Sequence, residues 1–313
     1  MKTIRTVAEL REALTGHRQA GETIGLVPTM GAFHDGHLSL MRAAGRSCDI
    51  VVVSLFVNPT QFNDAGDLAV YPRDEERDAA QAAGLGVSYL FGPDVSEVYP
   101  DGFATTVSVR GLTDGLEGAH RGREHFDGVT TVVTKLLNMV APDVAFFGQK
   151  DAQQAAVIGR LVRDLNLPIG IDVCPTIRAD DGLALSSRNV LLSDRDRRRA
   201  TSLSRALLAV ADAVSDGERD PAAALTAGRA ELTAAQIDPE YLAIVSRETM
   251  EPVGRVEGDV LAVIAARIGP VRLIDNALIS TNGRGTHSFP TARTSEIRTT
   301  DQPVATPFGA PTT

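Results

Sequence analysis

Several residue types are scarce in this sequence. It contains no tryptophan and only two cysteines, Cys48 and Cys174, in 313 residues. Two cysteines are too few for a disulfide framework and lack zinc-site spacing, so a reducing compartment is predicted. No run approaches the roughly 18 uncharged apolar residues of a membrane span, and the N-terminus lacks the apolar stretch of a signal peptide. The composition therefore predicts a soluble protein with no membrane partner.

Positive charge is also in deficit. The formal net charge is −9, which argues against a surface that tracks the nucleic-acid backbone, and we predict no nucleic-acid partner. An anionic ligand would have to be held by local groups. Of the 31 basic residues, only Lys2, Lys135 and Lys150 are lysines, so the position of each lysine is informative.

The first half alternates short β-branched runs with longer helix-like segments, the pattern of βαβ units around a parallel sheet in an α/β fold. We predict strands at Thr23–Val27, Ile50–Val57, Gly86–Leu90, Val144–Phe147 and Ile169–Val173. We predict helices at Gly36–Ser47, Arg73–Ala83, Gly128–Met139 and Ala152–Leu165. In such a sheet, ligands gather at the carboxyl ends of the strands.

The pattern changes after the segment Thr176–Asn189, which predicts a second, smaller α+β domain. Its predicted helices are Ser193–Ser215 and Pro221–Gln236, and its predicted strands are Tyr241–Val245, Val260–Ile268 and Val271–Ile274. We place the domains at residues 1–176 and 177–280, with a hinge near residues 174–180. Residues 281–313 are rich in Thr, Ser, Pro and Gly, which predicts a disordered tail.

The segment PTMGAFHDGH, residues 28–37, has the features of an anion-binding loop. It follows a predicted strand and precedes a helix, where backbone N–H groups and the helix dipole favour an anion. Gly31 and Gly36 permit close backbone approach, and His34 and His37 can both reach a phosphate. His37 replaces the lysine of a Walker loop, which disfavours a γ-phosphate-transfer NTPase.

Three further segments place polar residues at strand ends. Asn58 and Gln61 follow Ile50–Val57 and suit recognition of hydroxyl and carboxylate groups. Lys150 and Gln154, one helical turn apart, follow Val144–Phe147, and an ammonium suits a phosphate transition state. The loop at residues 177–189 offers serine hydroxyls and a guanidinium to a triphosphate.

Each motif also has a plainer interpretation. The two histidines could cap a helix or bind zinc, although no HExxH glutamate or third local ligand accompanies them. Asn58-Pro59 is common at turns, Lys150 could pair with Asp151, and residues 177–189 could be a linker. The rival functions are another HxGH nucleotidyltransferase, an aminoacyl-tRNA synthetase fragment, a zinc hydrolase and a non-enzymatic nucleotide sensor.

Together, PTMGAFHDGH, VNPTQF, FGQKDAQQ and DGLALSSRN have the order and spacing of the pantothenate synthetase family, which residues 1–280 resemble. This family belongs to the nucleotidyltransferase superfamily with the HxGH signature. The resemblance implies a Rossmann-like parallel sheet with helices on both faces, a C-terminal domain that closes over the site, and a cytoplasmic homodimer. It also implies ATP-dependent condensation of pantoate with β-alanine to pantothenate through pantoyl adenylate, with Mg²⁺ and release of AMP and pyrophosphate.

The resemblance implies roles for individual residues. His34, His37, Lys150, Ser186, Ser187 and Arg188 would be catalytic, with His37 the proton donor. Gln61 would contact pantoate and β-alanine, Gln154 would contact pantoate, and Asn58 would assist. The metal ligands stay unassigned, with Asp78 and Gln81 as candidates for assisting Mg²⁺. The ATP contacts would be Met30, Gly31, Ala32, Phe33, His34, Asp35, Gly36, His37, Gly148, Gln149, Lys150, Asp151, Ile177, Leu185, Ser186, Ser187 and Arg188.

The sequence departs from the family pattern in two places. Ala69 stands where the family usually has a second Asp. The segment LEGAHRGREHF, residues 116–126, carries one residue more than the usual LEGxxRPGHF. We therefore leave Arg121, Arg123 and His125 outside the predicted site, and expect altered loop geometry or dimer contacts with an unchanged nucleotide site.

Overall fold

A six-stranded parallel sheet forms the centre of the first half of the protein. The computed structural model describes residues 1–62 and 65–281. The sheet consists of β1 (Lys2–Ile4), β2 (Ile24–Thr29), β3 (Ile50–Leu55), β4 (Tyr89–Phe91), β5 (Val144–Gly148) and β6 (Gly170–Cys174). The strand order is β1-β4-β3-β2-β5-β6 and every pairing is parallel, as predicted. The sequence prediction missed β1, because three residues are too few to show a period.

Helices lie between successive strands of this half, as connections between parallel strands require. α4 begins at Glu75, two residues later than predicted, because the Asp74 side chain caps the Arg77 N–H. α7 begins at Arg123, five residues earlier than predicted. The helices are α1 (Val7–Gln19), α2 (Asp35–Ser47), α3 (Ala65–Val70), α4 (Glu75–Gly84), α5 (Val95–Val98), α6 (Glu117–Arg121), α7 (Arg123–Val140) and α8 (Ala152–Asp164).

Successive strand residues point to opposite faces of the sheet, and each face is covered by helices. Leu26 and Val52 pack in one buried cluster with residues of α1, α7 and α8. Val27 and Val53 pack in another with residues of α2 and α4. The Rossmann-like architecture with helices on both faces is therefore confirmed.

The direction of strand addition reverses between β2 and β5. Chain order runs from β2 to β3 and β4 on one side, and from β5 to β6 on the other. Such a reversal opens a crevice at the carboxyl ends of the two central strands. The loops that follow β2 and β5 therefore flank the place where a ligand is expected.

The second half is smaller and of α+β type, as predicted. α9 (Asp194–Ser215) and α10 (Pro221–Ala234) pack on an antiparallel sheet of β7 (Pro239–Ser246), β8 (Asp259–Ile268) and β9 (Val271–Ser280). β9 extends six residues beyond its predicted end, because the buried polar Asp275 and Asn276 interrupt its apolar pattern. The boundary at residue 176 remains a prediction, and of the predicted tail 281–313 only Thr281 lies within the described residues. No described helix is both long and apolar enough to cross a membrane.

Candidate active site

The carboxyl ends of β2, β3 and β5 open into a cavity of about 740 Å³. Most of the predicted site residues line it, although they come from four separate segments. Within the described residues, Gly31, Ala32, Phe33, Asp35 and Gln149 lie outside this lining. The predicted residues that line it are Met30, His34, Gly36, His37, Asn58, Gln61, Gly148, Lys150, Asp151, Gln154, Ile177, Leu185, Ser186, Ser187 and Arg188.

The loop after β2 is shaped by a carboxylate behind it. Buried Asp78 accepts hydrogen bonds from the backbone N–H of Ala32 at 2.7 Å and of Phe33 at 2.8 Å. Ala32 has φ +53° and Gly31 has φ +84°, so two successive residues adopt the left-handed region. A side chain at Gly31 would also meet Asp78 Oδ2 at 3.0 Å. Asp78 therefore holds a strained turn, and these two amides already have an acceptor.

The two histidines of this loop have defined tautomers. His34 caps α2, and its Nδ1 accepts the Gly36 N–H at 3.1 Å. His37 Nδ1 accepts the His34 N–H at 3.4 Å. Because a backbone N–H can only donate, both Nδ1 atoms are acceptors, and the neutral rings carry their protons on Nε2. The ring centroids are 4.2 Å apart.

Burial and nearby positive charge keep both rings neutral. Burial, followed by the charge of Lys150, lowers the pKa of His34 to about 4. Burial, followed by the charge of His34, lowers the pKa of His37 to about 3. In the free protein the pair therefore offers two N–H donors to an anion rather than two positive charges.

Lys150 supplies a cation on the β5 side of the crevice between β2 and β5. It lies in the 3₁₀ turn Gln149–Asp151 after β5, with Nζ 3.5 Å from Asp151 Oδ1. The side chain of Gln149 donates to Asn276 Oδ1, and Asn276 Nδ2 donates to the backbone oxygens of Gln149 and Lys150. Gln149 thus ties β9 to the lysine turn.

The serine-containing loop is anchored at both ends. Arg178 forms a buried two-bond ion pair with Asp275, at 2.6 and 2.8 Å, and Leu185 N donates to Ile177 O at 2.9 Å. Beyond this anchor, the Ser186 hydroxyl accepts the Arg188 N–H. Its neighbours Ser187 and Arg188 line the cavity beside it.

Two polar side chains that follow β3, Asn58 and Gln61, line the cavity. Asn58 is 1% exposed, and its Nδ2 donates to Gln61 Oε1 at 3.1 Å. Gln61 Nε2 lies 2.9 Å from the sulfur of Met30. The two amides predicted from the sequence therefore contact each other.

A buried charge cluster joins the two halves beside the cavity. Glu117 receives two hydrogen bonds from Arg272, at 2.8 and 2.7 Å, and one from the Tyr241 hydroxyl at 2.8 Å. Burial opposes ionisation of Glu117, but the hydrogen bonds and charges of Arg272, the charge of Arg121 and the Tyr241 hydroxyl outweigh it and lower its pKa to about 2. Glu117 is therefore ionised at neutral pH.

The segment with the extra residue still reaches the cavity. α6 ends at Arg121, Gly122 follows with φ +83°, and α7 starts at Arg123. Arg121 and His125 line the cavity, and His125 Nδ1 pairs with Gln61 O at 2.8 Å. Exposed Arg123 instead pairs with Asp114 at 3.4 Å. The segment thus forms two consecutive helices that meet at Gly122.

Sequence reasoning missed several cavity residues. Tyr71 shares a hydrogen bond with Ser187. It lies two residues after Ala69 and belongs to none of the four motifs. Glu117, Tyr241 and Arg272 come from distant parts of the chain, so no local spacing links them. Tyr71 in the segment Tyr71-Pro72-Arg73 and Glu117 in the segment Leu116–Gly118 were the sequence features that could have indicated them.

No group of three or more His, Cys, Asp or Glu residues in the described part of the chain could hold a metal ion. A zinc site built on His34 and His37 would need such a group. The geometry therefore offers these two rings no third protein ligand.

Comparison with known proteins identifies the family. The model of the pantoate-beta-alanine ligase family matches residues 2–278. The chain belongs to the pantoate-beta-alanine ligase family. It is an enzyme that joins pantoate to β-alanine, so the resemblance seen in the motifs is confirmed.

Curated relatives and solved structures agree with this assignment. A pantothenate synthetase of Moorella thermoacetica is 52% identical over 90% of this chain and 100% of the relative. One of Paracoccus denitrificans is 53% identical over 88% and 98%. The structure of a pantothenate synthetase from Thermus thermophilus is similar with a TM-score of 0.83 and 48% identity, covering 88% of this chain and 98% of that one. A pantoate-beta-alanine ligase from Francisella tularensis, complexed with beta-gamma ATP and beta-alanine, gives a TM-score of 0.74 and 34% identity, covering 89% and 97%.

Proposed function

We propose that this ligase works in two half-reactions with ATP as cosubstrate, forming pantoyl adenylate and then pantothenate. One observation carries the proposal. A single cavity collects two N–H-donating histidines, Lys150 and the Ser186–Arg188 loop together with the carboxamides of Gln61 and Gln154. The nucleotide and β-alanine in the Francisella relative support the same pair of ligands for this chain.

In the first half-reaction, a carboxylate oxygen of pantoate attacks the α-phosphorus of ATP and pyrophosphate leaves. No protein nucleophile is required. The Nε2–H groups of His34 and His37, the ammonium of Lys150 and the Arg188 guanidinium stabilise the charge that develops on the phosphates. Because His37 is neutral, it donates a hydrogen bond from Nε2 to the phosphate in this step.

In the second half-reaction, the neutral amine of β-alanine attacks the acyl carbon of the adenylate. The new C–N bond replaces the acyl C–O bond, AMP leaves, and the amine nitrogen releases one proton to solvent. Water must be kept from the adenylate meanwhile. Residues 177–280 act as the cover. The Gln149–Asn276 contact and the Glu117–Arg272 pair support this role, because they attach the second half at the rim of the cavity.

The residues present fit a Mg²⁺ ion that arrives with ATP. Mg²⁺ is usually held by one or two carboxylates together with substrate phosphates and water. Of the acids lining the described cavity, Glu117 and Asp275 form buried pairs with arginines, whereas Asp151 is about half exposed. We therefore assign Asp151 to the ion, which would supply positive charge at the phosphates. Both carboxylate oxygens of Asp78 accept backbone N–H groups, so Asp78 ranks lower.

We also propose a cytoplasmic homodimer. Burial raises the pKa of Cys48 to about 11 and of Cys174 to about 12, so both free thiols stay protonated, as suits a reducing compartment. Val107 and Val109 pack on the core while Ser108 between them is exposed, a β-like alternation outside the described strands that suits pairing with a second copy. Light scattering should give twice the mass of one chain.

Product analysis tests the reaction. Mg²⁺-ATP with pantoate alone should release pyrophosphate and a small amount of trapped adenylate, and AMP with pantothenate should follow in equal amounts when β-alanine is added. Lys150→Ala should slow adenylation by about a hundredfold, the typical loss for one preorganised charged contact. Near-normal adenylation by this variant would contradict the role of Lys150.

A further inference from the structure

The orientation of the Asn58 carboxamide is determined by backbone groups. Its Oδ1 accepts from the Thr60 backbone N–H at 3.3 Å, and its Nδ2 donates to the Gly128 backbone oxygen at 3.2 Å. An N–H can only donate and a carbonyl can only accept, so the oxygen and nitrogen of Asn58 cannot be exchanged. Glycine at position 128 allows this approach, because a Cβ there would lie 2.5 Å from Thr60 O.

Asn58 in turn determines the orientation of Gln61. The remaining hydrogen on Asn58 Nδ2 faces Gln61 at 3.1 Å, so the Gln61 atom at that point must be the acceptor Oε1. The NH₂ group of Gln61 is then the part left for the cavity, where its described neighbour is the weakly accepting sulfur of Met30. Gln61 thus presents donors and no acceptor.

A tyrosine from outside the cavity stabilises this arrangement. The Tyr99 hydroxyl donates to Asn58 Oδ1 at 2.9 Å. The Tyr99 ring packs against Phe103 at 5.1 Å, and the ammonium of Lys135 lies 4.6 Å from the Phe103 ring centroid. One of the three lysines of the chain therefore supports the aromatic pair that fixes Tyr99.

We propose that Tyr99 and Asn58 are positioning residues that hold the Gln61 NH₂ group toward the cavity. Gln61 then acts only as a hydrogen-bond donor, and it donates to the oxygen atoms of pantoate. This inference rests on the proposed assignment of Gln61 to substrate binding. The consequence is selectivity for acceptor atoms. Carboxylate and hydroxyl oxygens satisfy Gln61, whereas an ammonium group would place donors against donors.

We call the chain of hydrogen bonds from Tyr99 through Asn58 to Gln61 the relay. Tyr99→Phe tests the relay with the smallest change, since it removes the hydroxyl and keeps the ring. We expect the KM for pantoate to rise about three- to tenfold, the effect of one lost hydrogen bond, with the KM for ATP unchanged. Asn58→Asp should raise it further, up to about a hundredfold, because two acceptors would then face each other and the Gln61 amide would turn over. Tyr89→Phe is the matched control, since it removes a hydroxyl bonded to His17 at the opposite end of the sheet.

A double-mutant comparison decides whether the effect passes through Gln61. In a Gln61→Ala background, Tyr99→Phe should leave pantoate KM and calorimetric pantoate binding unchanged. An equal effect of Tyr99→Phe in both backgrounds, an equal rise in the KM for ATP, or no effect in the wild type would overturn the relay. If Gln61→Ala itself bound pantoate normally, the relay would be refuted together with the assignment of Gln61. Failure of the wild-type protein to form pantothenate would refute the proposed function, while calorimetry would still report on the relay.

Discussion

Replacing Arg272 with methionine tests how the second half is attached. Arg272 Nη1 and Nη2 both bind Glu117, and Nε binds Glu240 at 2.7 Å. Glu117 is 7% exposed, so the substitution would leave a buried carboxylate with only Arg121 and the Tyr241 hydroxyl. Removing one partner of a buried ion pair costs about 3–5 kcal/mol.

The pKa of Glu117 gives this magnitude by a second route. Lowering it from an ordinary 4.5 to about 2 corresponds to about 3 kcal/mol of stability. Because the folded-state pKa is depressed, this stabilisation is complete above about pH 4.5 and is lost as the pH falls toward 2. The first route refers to Arg272 alone, and the pKa shift, to which Arg121 and Tyr241 also contribute against burial, gives the same order of about 3 kcal/mol at neutral pH.

Urea unfolding of wild type and Arg272→Met at pH 7, and at steps from pH 5 to pH 2, measures the effect. The wild type should lose stability across that window more steeply than the variant. The matched control is Arg247→Met, since Arg247 pairs with Asp259 at 3.1 Å on the surface of the same sheet and should contribute less than about 1 kcal/mol.

The functional assay is the ratio of AMP to pantothenate. Glu117 belongs to the first half and Arg272 to the second, so a weakened pair should expose the adenylate to water and raise the ratio above one. Equal unfolding free energies for Arg272→Met and Arg247→Met, or an unchanged ratio in a destabilised protein, would refute the reasoning.

Three further predictions concern the loops around the cavity. Asp78→Asn places an NH₂ group against one of the two backbone N–H donors, Ala32 and Phe33, so the KM for ATP should rise by about tenfold or more. An unchanged KM would contradict the role of Asp78 in holding this loop. Gly128→Ala should destabilise the fold by about 1–3 kcal/mol in thermal unfolding, because its Cβ would meet Thr60 O, whereas Gly159→Ala, with open space around it, should be neutral or stabilising. The lowered pKa values of His34 and His37 keep both rings neutral, so kcat/KM for ATP should show no histidine ionisation between pH 6 and 8. Stability should decline as the pH falls below 6.5, and an inflection of the rate near pH 6.5 would refute neutral rings.

Local patterns were sufficient for the parallel sheet and for the loops that carry the predicted nucleotide-binding motifs. A buried parallel strand such as Ile50–Leu55 is continuously apolar, and a glycine- and histidine-containing segment between strand and helix is visible without any partner. The predictions missed β1, α1 and the short helices α3, α5 and α6, and they ended β9 six residues early. In β1 the signal is too short, and in β9 the buried Asp275 and Asn276 break the pattern because Arg178 and Gln149 satisfy them from other segments.

By itself, the sequence determined the α/β class, the family and fifteen of the residues that line the cavity, because these depend on periodicity and on contiguous motifs. The tertiary structure alone decided which atoms those residues present. Asp78 was a candidate for assisting Mg²⁺ and proves to hold the backbone of the first loop. Asn58 was a predicted substrate contact and contacts Gln61, while Glu117 joins Arg272 across 155 positions of the chain. Hydrogen-bond direction and the pairing of buried charges depend on groups brought together from distant segments, and no local spacing in a sequence encodes them.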